Sequence, residues 1–350
     1  CSGAYMDELP GLVRAGTVSV AVVDAAVRRV LRAKFRLGLF ERPYADPEAA
    51  RGREQDPRQL ALEMARASTV LLRNQGGLLP LDARKLRNVA LVGAFADVTL
   101  EHLGSWYAVG RKDDVVSLSQ GVRSKLPAGV TLSVVEGADF RGKRMHVEDA
   151  VKAAQAADVV IAALGDPGWN TGENNSKVAL DLSAPQRTLL EALVATGKPL
   201  VLVLMNGGAM TLSWEAQHVP AILETWVLGE RAGDAIADVL FGDDEPRGRL
   251  PVTFPRSVGQ VPIYHAHKSS GRPPTIPGGS RYTDSPADPL YPFGFGLTYT
   301  TFRYDDLRVS PTRIAPDGRI HVEVALTNTG TRAGSELAQL YVQDVAASVT

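Results

Sequence analysis

The chain has 350 residues, more than one ordinary hydrophobic core accommodates, so two or three domains of roughly 100–200 residues, or parts of them, are expected. Its 38 Lys and Arg against 39 Asp and Glu leave a net charge of -1, which gives no attraction to a phosphate backbone or an anionic lipid surface and excludes nucleic acid as the expected partner. The longest apolar runs, residues 159–164 and 200–205, fall far short of the ~20 residues that cross a bilayer, so no membrane partner is expected.

The single cysteine, Cys1, allows no intrachain disulfide and leaves the redox compartment open. An N-terminal cysteine also begins a mature lipoprotein, but with no signal segment and no initiator Met it is read here as a fragment boundary. Over residues 18–37, Val22, Val23, Ala26, Val27, Val30, Leu31 and Phe35 recur at helical spacing, with Arg28, Arg29, Arg32 and Arg36 opposite. This is an amphipathic helix ended by Gly38. Residues 1–40 are too few to cover its apolar face and are expected to be the remnant of a larger domain.

Residues 41–88 read as a linker, punctuated by Arg42-Pro43 and Asp46-Pro47, and a helix over 57–74 built on Leu60, Met64, Ala67 and the run Val70-Leu71-Leu72. From 89 to 255 the pattern changes. Apolar strands near 89–92, 132–135, 158–164, 199–204 and 221–227 alternate with helices near 117–126, 147–157, 184–196 and 231–241. The implied fold class is α/β, a parallel sheet covered by helices on both faces.

In such sheets ligands bind beyond the carboxyl ends of the strands. The segments leaving those ends are 93–114 with Gly104-Ser105-Trp106, 165–183 with Trp169 and Glu173, Asn206-Gly207-Gly208, and Leu228-Gly229-Glu230. A Pro- and Gly-dense stretch beginning at Pro246 and continuing through 256–303 is expected to wrap the domains and not to form core. Alternation over 321–326 and 337–342 then predicts antiparallel strands in 304–350, well short of the ~100 residues that a β-sandwich takes.

The polar loop 165–177 exceeds the usual connection of about 4–6 residues, and Glu173 lies near its middle. On position alone a solvated loop carboxylate is the plainer account of Glu173. Trp106 and Trp169 fit either an aromatic wall for a ligand or ordinary core packing. His265 and His267 lack a third ligand at useful spacing, so no metal is expected. Gly93-Ala94-Phe95-Ala96 is followed by neither G-x-G-x-x-G nor G-K-S/T, which argues against a nucleotide or flavin cofactor.

Several long segments, SGAYMDELPGLVRAG, RRVLRAKFRLGLFERPY, STVLLRNQGGLLPL, the GSW loop, ATGKPLVLVLMNGGAM, GDAIADVLFGDDEPRGRLPVTFPRSVGQVPIYHAHK and PLYPFGFGLTYTTFRYDDL, resemble glycoside hydrolase family 3, the β-glucosidases in particular. The resemblance implies a (β/α)8 barrel, here only its end, then an α/β sandwich and part of a fibronectin-type-III-like β-sandwich. It implies a retaining mechanism in which a barrel Asp attacks the anomeric carbon and a loop Glu acts as acid and then base. Glu173 matches that Glu through Gly172-Glu173 ahead of Ser176, Lys177 and the helix entry Asp181-Leu182. Asn174-Asn175 and Lys177 depart from the family pattern, which touches fine substrate preference.

The same resemblance implies a β-glucoside or oligosaccharide substrate, no cofactor, and a periplasmic or secreted location; a homo-oligomer is left open. It places Trp169, Trp106 and Ser105 at the leaving-group subsite and Tyr5 and Ser2 along the sugar site. A β-xylosidase or another β-glycosidase of the family is the alternative, because residues selecting the sugar lie mostly in the barrel. The chain by itself, having no nucleophile, fits a non-catalytic carbohydrate-binding fragment. A flavodoxin-like nucleotide-binding domain is suggested by fold alone and has no motif behind it.

Overall fold

The computed structural model describes residues 3–46, 48, 57–267, 272, 277–344 and 346–347. Two compact units are present, Cys1–Asp56 and Pro57–Thr350. The first contains α1 (Ala4–Asp7), α2 (Leu9–Arg14) and α3 (Val20–Arg36). Gly38 stops α3: at φ 67 it adopts the left-handed conformation and its N–H reaches the Phe35 carbonyl at 3.0 Å, as a glycine beyond a helix end commonly does. Val22, Val27, Val30 and Phe35, the apolar face anticipated for this helix, are exposed.

The second unit opens with α4 (Pro57–Ser68) and β1 (Val70–Asn74). Here the helix expected through 74 ends early. Its last segment is instead a strand, because Val70, Leu71 and Leu72 are buried as the edge of the main sheet, and β-branched and leucine runs serve either state until a partner decides. There follow β2 (Asn88–Val92), α5 (Leu118–Lys125), β3 (Thr131–Val135), α6 (Val147–Ala156), β4 (Val159–Gly165), α7 (Ala184–Ala195), β5 (Leu200–Met205), α8 (Glu215–His218), β6 (Ala221–Glu224) and α9 (Ala232–Phe241).

These strands make one sheet in the order β1-β6-β5-β4-β2-β3. All pairings are parallel except β1 with β6, where Val70 faces Glu224. Alternate residues feed two cores. Val160, Ala162 and Leu164 of β4 join Ala150 and Ala154 of α6 and Leu189, Leu190 and Leu193 of α7 on one face. Val159, Ile161 and Ala163 join Leu118 and Val122 of α5 and Ile236, Val239 and Leu240 of α9 on the other. Burial on both faces explains why the strands read as unbroken apolar runs and not as alternating ones.

The segment after Gly242 does more than wrap. Leu250, Phe254 and Tyr291 are buried within the first core, since Pro and Gly hold the chain extended against the sheet while their apolar neighbours insert. Beyond it, β7 (Phe302–Ser310) and β8 (His321–Asn328) form a two-stranded antiparallel sheet. The strand expected over 337–342 is not formed. That segment instead ties back through its polar groups, with Gln339 donating to the Gly294 carbonyl at 2.9 Å and Arg249 meeting Glu336 at 3.1 Å.

Candidate active site

The strand order places a reversal between β2 and β4: the chain runs from β2 outward to β3, then crosses back to β4 and continues to β5 and β6. Such a switch point opens a crevice at the carboxyl ends of the two central strands. A cleft of about 440 Å³ lies there, lined by residues 100–107 after β2 and 168–175 after β4. Ser105, Trp106, Trp169 and Glu173, four residues singled out in the sequence, line it together. Tyr5 lies on α1 in the first unit and is exposed; Ser2 falls outside the described residues.

The loop after β4 is built from its base upward. Gly165, at φ 148, passes so close to β5 that a Cβ there would stand 1.9 Å from the Met205 carbonyl oxygen, a position only glycine fills. Buried Gln186 of α7 grips both backbone groups of the same residue, accepting from the Gly165 N–H and donating to its carbonyl, each at 2.8 Å. Asp166 and Lys177 form an ion pair that joins the start and end of the loop.

Its tip is held from across the cleft. The Ser105 hydroxyl donates to the Gly168 carbonyl at 2.7 Å and lies 2.9 Å from Thr171 Oγ1. Glu101 accepts from the Gly168 N–H at 2.5 Å. Gly172, at φ 95, sits against Ser105, where a Cβ would come within 2.8 Å of the serine Cβ. The loop therefore turns at Gly172 and presents Glu173 to the cleft, exposed and with no hydrogen-bond partner for its carboxylate among the described residues.

Neither candidate tryptophan is core. Trp106 is 76% exposed and Trp169 47%. Trp169 is fixed by residues that the sequence reading passed over, those after β3: Phe140 meets it edge-on with centroids 6.5 Å apart, and the Arg141 guanidinium lies 4.2 Å over its ring. Glu101 and His102 were likewise passed over. Glu101 lies in a stretch with no motif, and its role is visible only once the Gly168 amide is beside it. His102 is buried behind the cleft wall, and desolvation pushes its imidazole down to about 4, so it is neutral near pH 7.

Among the described residues no group of three or more His, Cys, Asp or Glu side chains could hold a metal ion. His265 stacks on Phe293 with ring centroids 5.2 Å apart. No described helix is long and apolar enough to cross a membrane.

Comparison with known proteins agrees with this architecture. Residues 69–299 match the glycosyl hydrolase family 3 C-terminal domain, and the chain belongs to glycoside hydrolase family 3. It is 41% identical to a periplasmic β-glucosidase of Salmonella typhimurium over 99% of this chain and 49% of that protein. A β-xylosidase of Formosa agariphila is 38% identical over 93% of this chain and 46% of its own length. Among solved structures, a β-glucosidase from Listeria innocua in complex with glucose superposes with a TM-score of 0.90 at 34% identity, covering 99% of this chain and 48% of that one. The chain spans about half the length of the curated relatives it matches.

Proposed function

We propose that this chain is the acid/base-bearing part of a retaining β-glycosidase, with Glu173 as the proton donor to the leaving-group oxygen and then the base that activates water. The observation that carries the reading is Glu173 itself, an unpaired carboxylate on a braced, glycine-hinged loop that lines the cleft at the sheet's switch point. Retaining hydrolysis needs a second carboxyl ~5–5.5 Å away as nucleophile. Glu101, the other carboxylate lining the cleft, is committed to the Gly168 amide and serves the loop. The nucleophile is then a barrel Asp outside these 350 residues, and residues 1–40 are the end of that barrel.

Trp106 and Trp169 form the apolar wall of the leaving-group subsite, since exposed aromatic faces suit the C–H faces of a pyranose. A terminal β-glucoside is the favoured substrate, supported by the β-glucosidase names of relatives in both comparisons. A β-xyloside is the alternative, supported by the Formosa relative. The periplasmic relative supports an extracytoplasmic location.

The test is Glu173→Gln in the full-length parent protein, assayed on aryl β-glucosides of graded leaving-group pKa. General acid catalysis contributes typically 10²–10⁴-fold, so kcat/KM should collapse by that order for poor leaving groups and far less for good ones, with azide restoring turnover and giving the β-glycosyl azide. Unchanged kcat/KM on poor leaving groups would remove Glu173 from the role.

A further inference from the structure

The loop after β4 changes character at Thr171. Up to that residue it is braced from outside: the Thr171 carbonyl accepts from Ser105 Oγ at 3.1 Å, and a Cβ on Gly207 would stand 3.2 Å from Thr171 Cγ2. Beyond it, the chain closes on itself. The Asn175 N–H donates to the Gly172 carbonyl at 3.2 Å, and Asn175 Nδ2 donates to the Thr171 carbonyl at 2.9 Å. Residues 172–175, closed by that backbone bond, are a β-turn with Glu173 and Asn174 as its two central residues.

Asn174 has φ 64, the left-handed conformation, at the third residue of this turn. Most L-residues reach that region only at a penalty, whereas glycine and asparagine enter it readily, and a turn that needs positive φ at this place takes one of those two. The Asn174 side chain makes no hydrogen bond among the described residues, so the contribution of asparagine here lies in its backbone. Glu173 has no partner for its carboxylate either. Nothing but the turn therefore directs its side chain, and the turn stands on Asn174.

We propose that Asn174 is a positioning residue, whose left-handed backbone closes the 172–175 turn and so keeps the Glu173 carboxylate in the cleft. When residue 174 leaves that conformation, the Asn175 N–H parts from the Gly172 carbonyl and its side chain from the Thr171 carbonyl. Glu173 then moves with the opened tip, while the part of the loop held by Ser105 stays in place.

The catalytic consequence rests on the proposed role of Glu173, but the turn does not, so each is measured separately. Residues 172–175 are exposed, and replacing Asn174 leaves the core untouched. In the 350-residue chain, exchange of the Asn175 amide with water is read by NMR and corrected for the intrinsic rate of each sequence. Asn174→Gly should keep it within about threefold of the parent, whereas Asn174→Ala and Asn174→Val should speed it by about five- to thirtyfold, Val the more. Parent-like exchange in the Val variant would overturn the proposal.

In the full-length parent protein, Asn174→Val should lower kcat/KM for aryl β-glucosides of poor leaving groups by a similar factor and scarcely change it for good ones, with Asn174→Gly restoring both. An equal fall for good and poor leaving groups would show that the turn does not act through Glu173. Gly failing like Val would show that the side-chain amide of Asn174, and not its backbone, is what matters. Either result refutes the assignment. A silent Glu173→Gln would instead sink the reading of Glu173 as the acid and leave the exchange result standing.

Discussion

Ser105 Oγ stands 2.7 Å from the Gly168 carbonyl oxygen, so a hydroxyl from the loop after β2 fixes the loop after β4 although 63 residues separate the two. A net hydrogen bond is worth about 1 kcal/mol. Ser105→Ala should therefore cost no more than about 1 kcal/mol of global stability while loosening residues 168–173. Faster amide exchange concentrated in that segment, with only a small shift of the denaturation midpoint, is the expected pair of results.

The two loop glycines should respond differently to the same change. Gly165→Ala drives a Cβ into the Met205 carbonyl oxygen inside the sheet, where nothing yields, and should cost at least about 3 kcal/mol in urea unfolding. Gly172→Ala meets an exposed serine side chain at φ 95. It should cost about 1 kcal/mol and turn Glu173 away from the cleft, a loss read in activity of the full-length parent and scarcely in unfolding.

Arg141 over the Trp169 ring covers one face of the indole. A partly exposed cation–π contact is worth ~0.5–1 kcal/mol. Arg141→Ala should make Trp169 more accessible to acrylamide quenching, and in the full-length parent it should raise KM for aryl β-glucosides about two- to fivefold with kcat nearly unchanged. An equal fall in kcat would give Arg141 a part in the chemical step.

Two buried groups should shape the pH dependence of stability in opposite senses. Glu224 is raised from 4.5 to about 8 in the fold. The folded chain then holds the extra proton, and this group's contribution is full below about pH 4.5 and is lost as pH rises through about 8. His102 is lowered from 6.5 to about 4. Its contribution is full above about pH 6.5 and is lost as pH falls through about 4. Each carries a slope of up to about 1.4 kcal/mol per pH unit, so the two offset one another between about pH 4.5 and 6.5, and stability declines from 6.5 to 8. Glu224→Gln should abolish that decline and expose the His102 rise at lower pH, as measured by urea unfolding across the series.

Much of the fold was legible because four parallel strands, β2, β4, β5 and β6, are buried on both faces and so appear as apolar runs between helical periods. The loops at their ends could be named for the same reason. Strand order was not legible: nothing in residues 89–165 states that β2 lies between β3 and β4, yet that reversal is what brings 100–107 and 168–175 to one cleft. Glu101 and Arg141 escaped notice because each acts on a group distant in sequence, a backbone amide and an indole ring. Segment 70–74 was absorbed into the preceding helix because its role is set by β6, far along the chain. The exposure of Trp106 and Trp169 removes the core-packing account of these rings.

That edge strand also bears on biosynthesis. β1 leaves the ribosome with Val70-Leu71-Leu72 ready to pair, but its neighbour β6 is synthesised only after β2 to β5. Contacts that span so much chain form slowly. During that interval an apolar strand with unpaired amides and carbonyls offers an edge to other nascent chains. Arg73, Arg66 and the charged residues around them then act as gatekeepers, and neutralising them should lower the soluble yield before it lowers the stability of the finished fold.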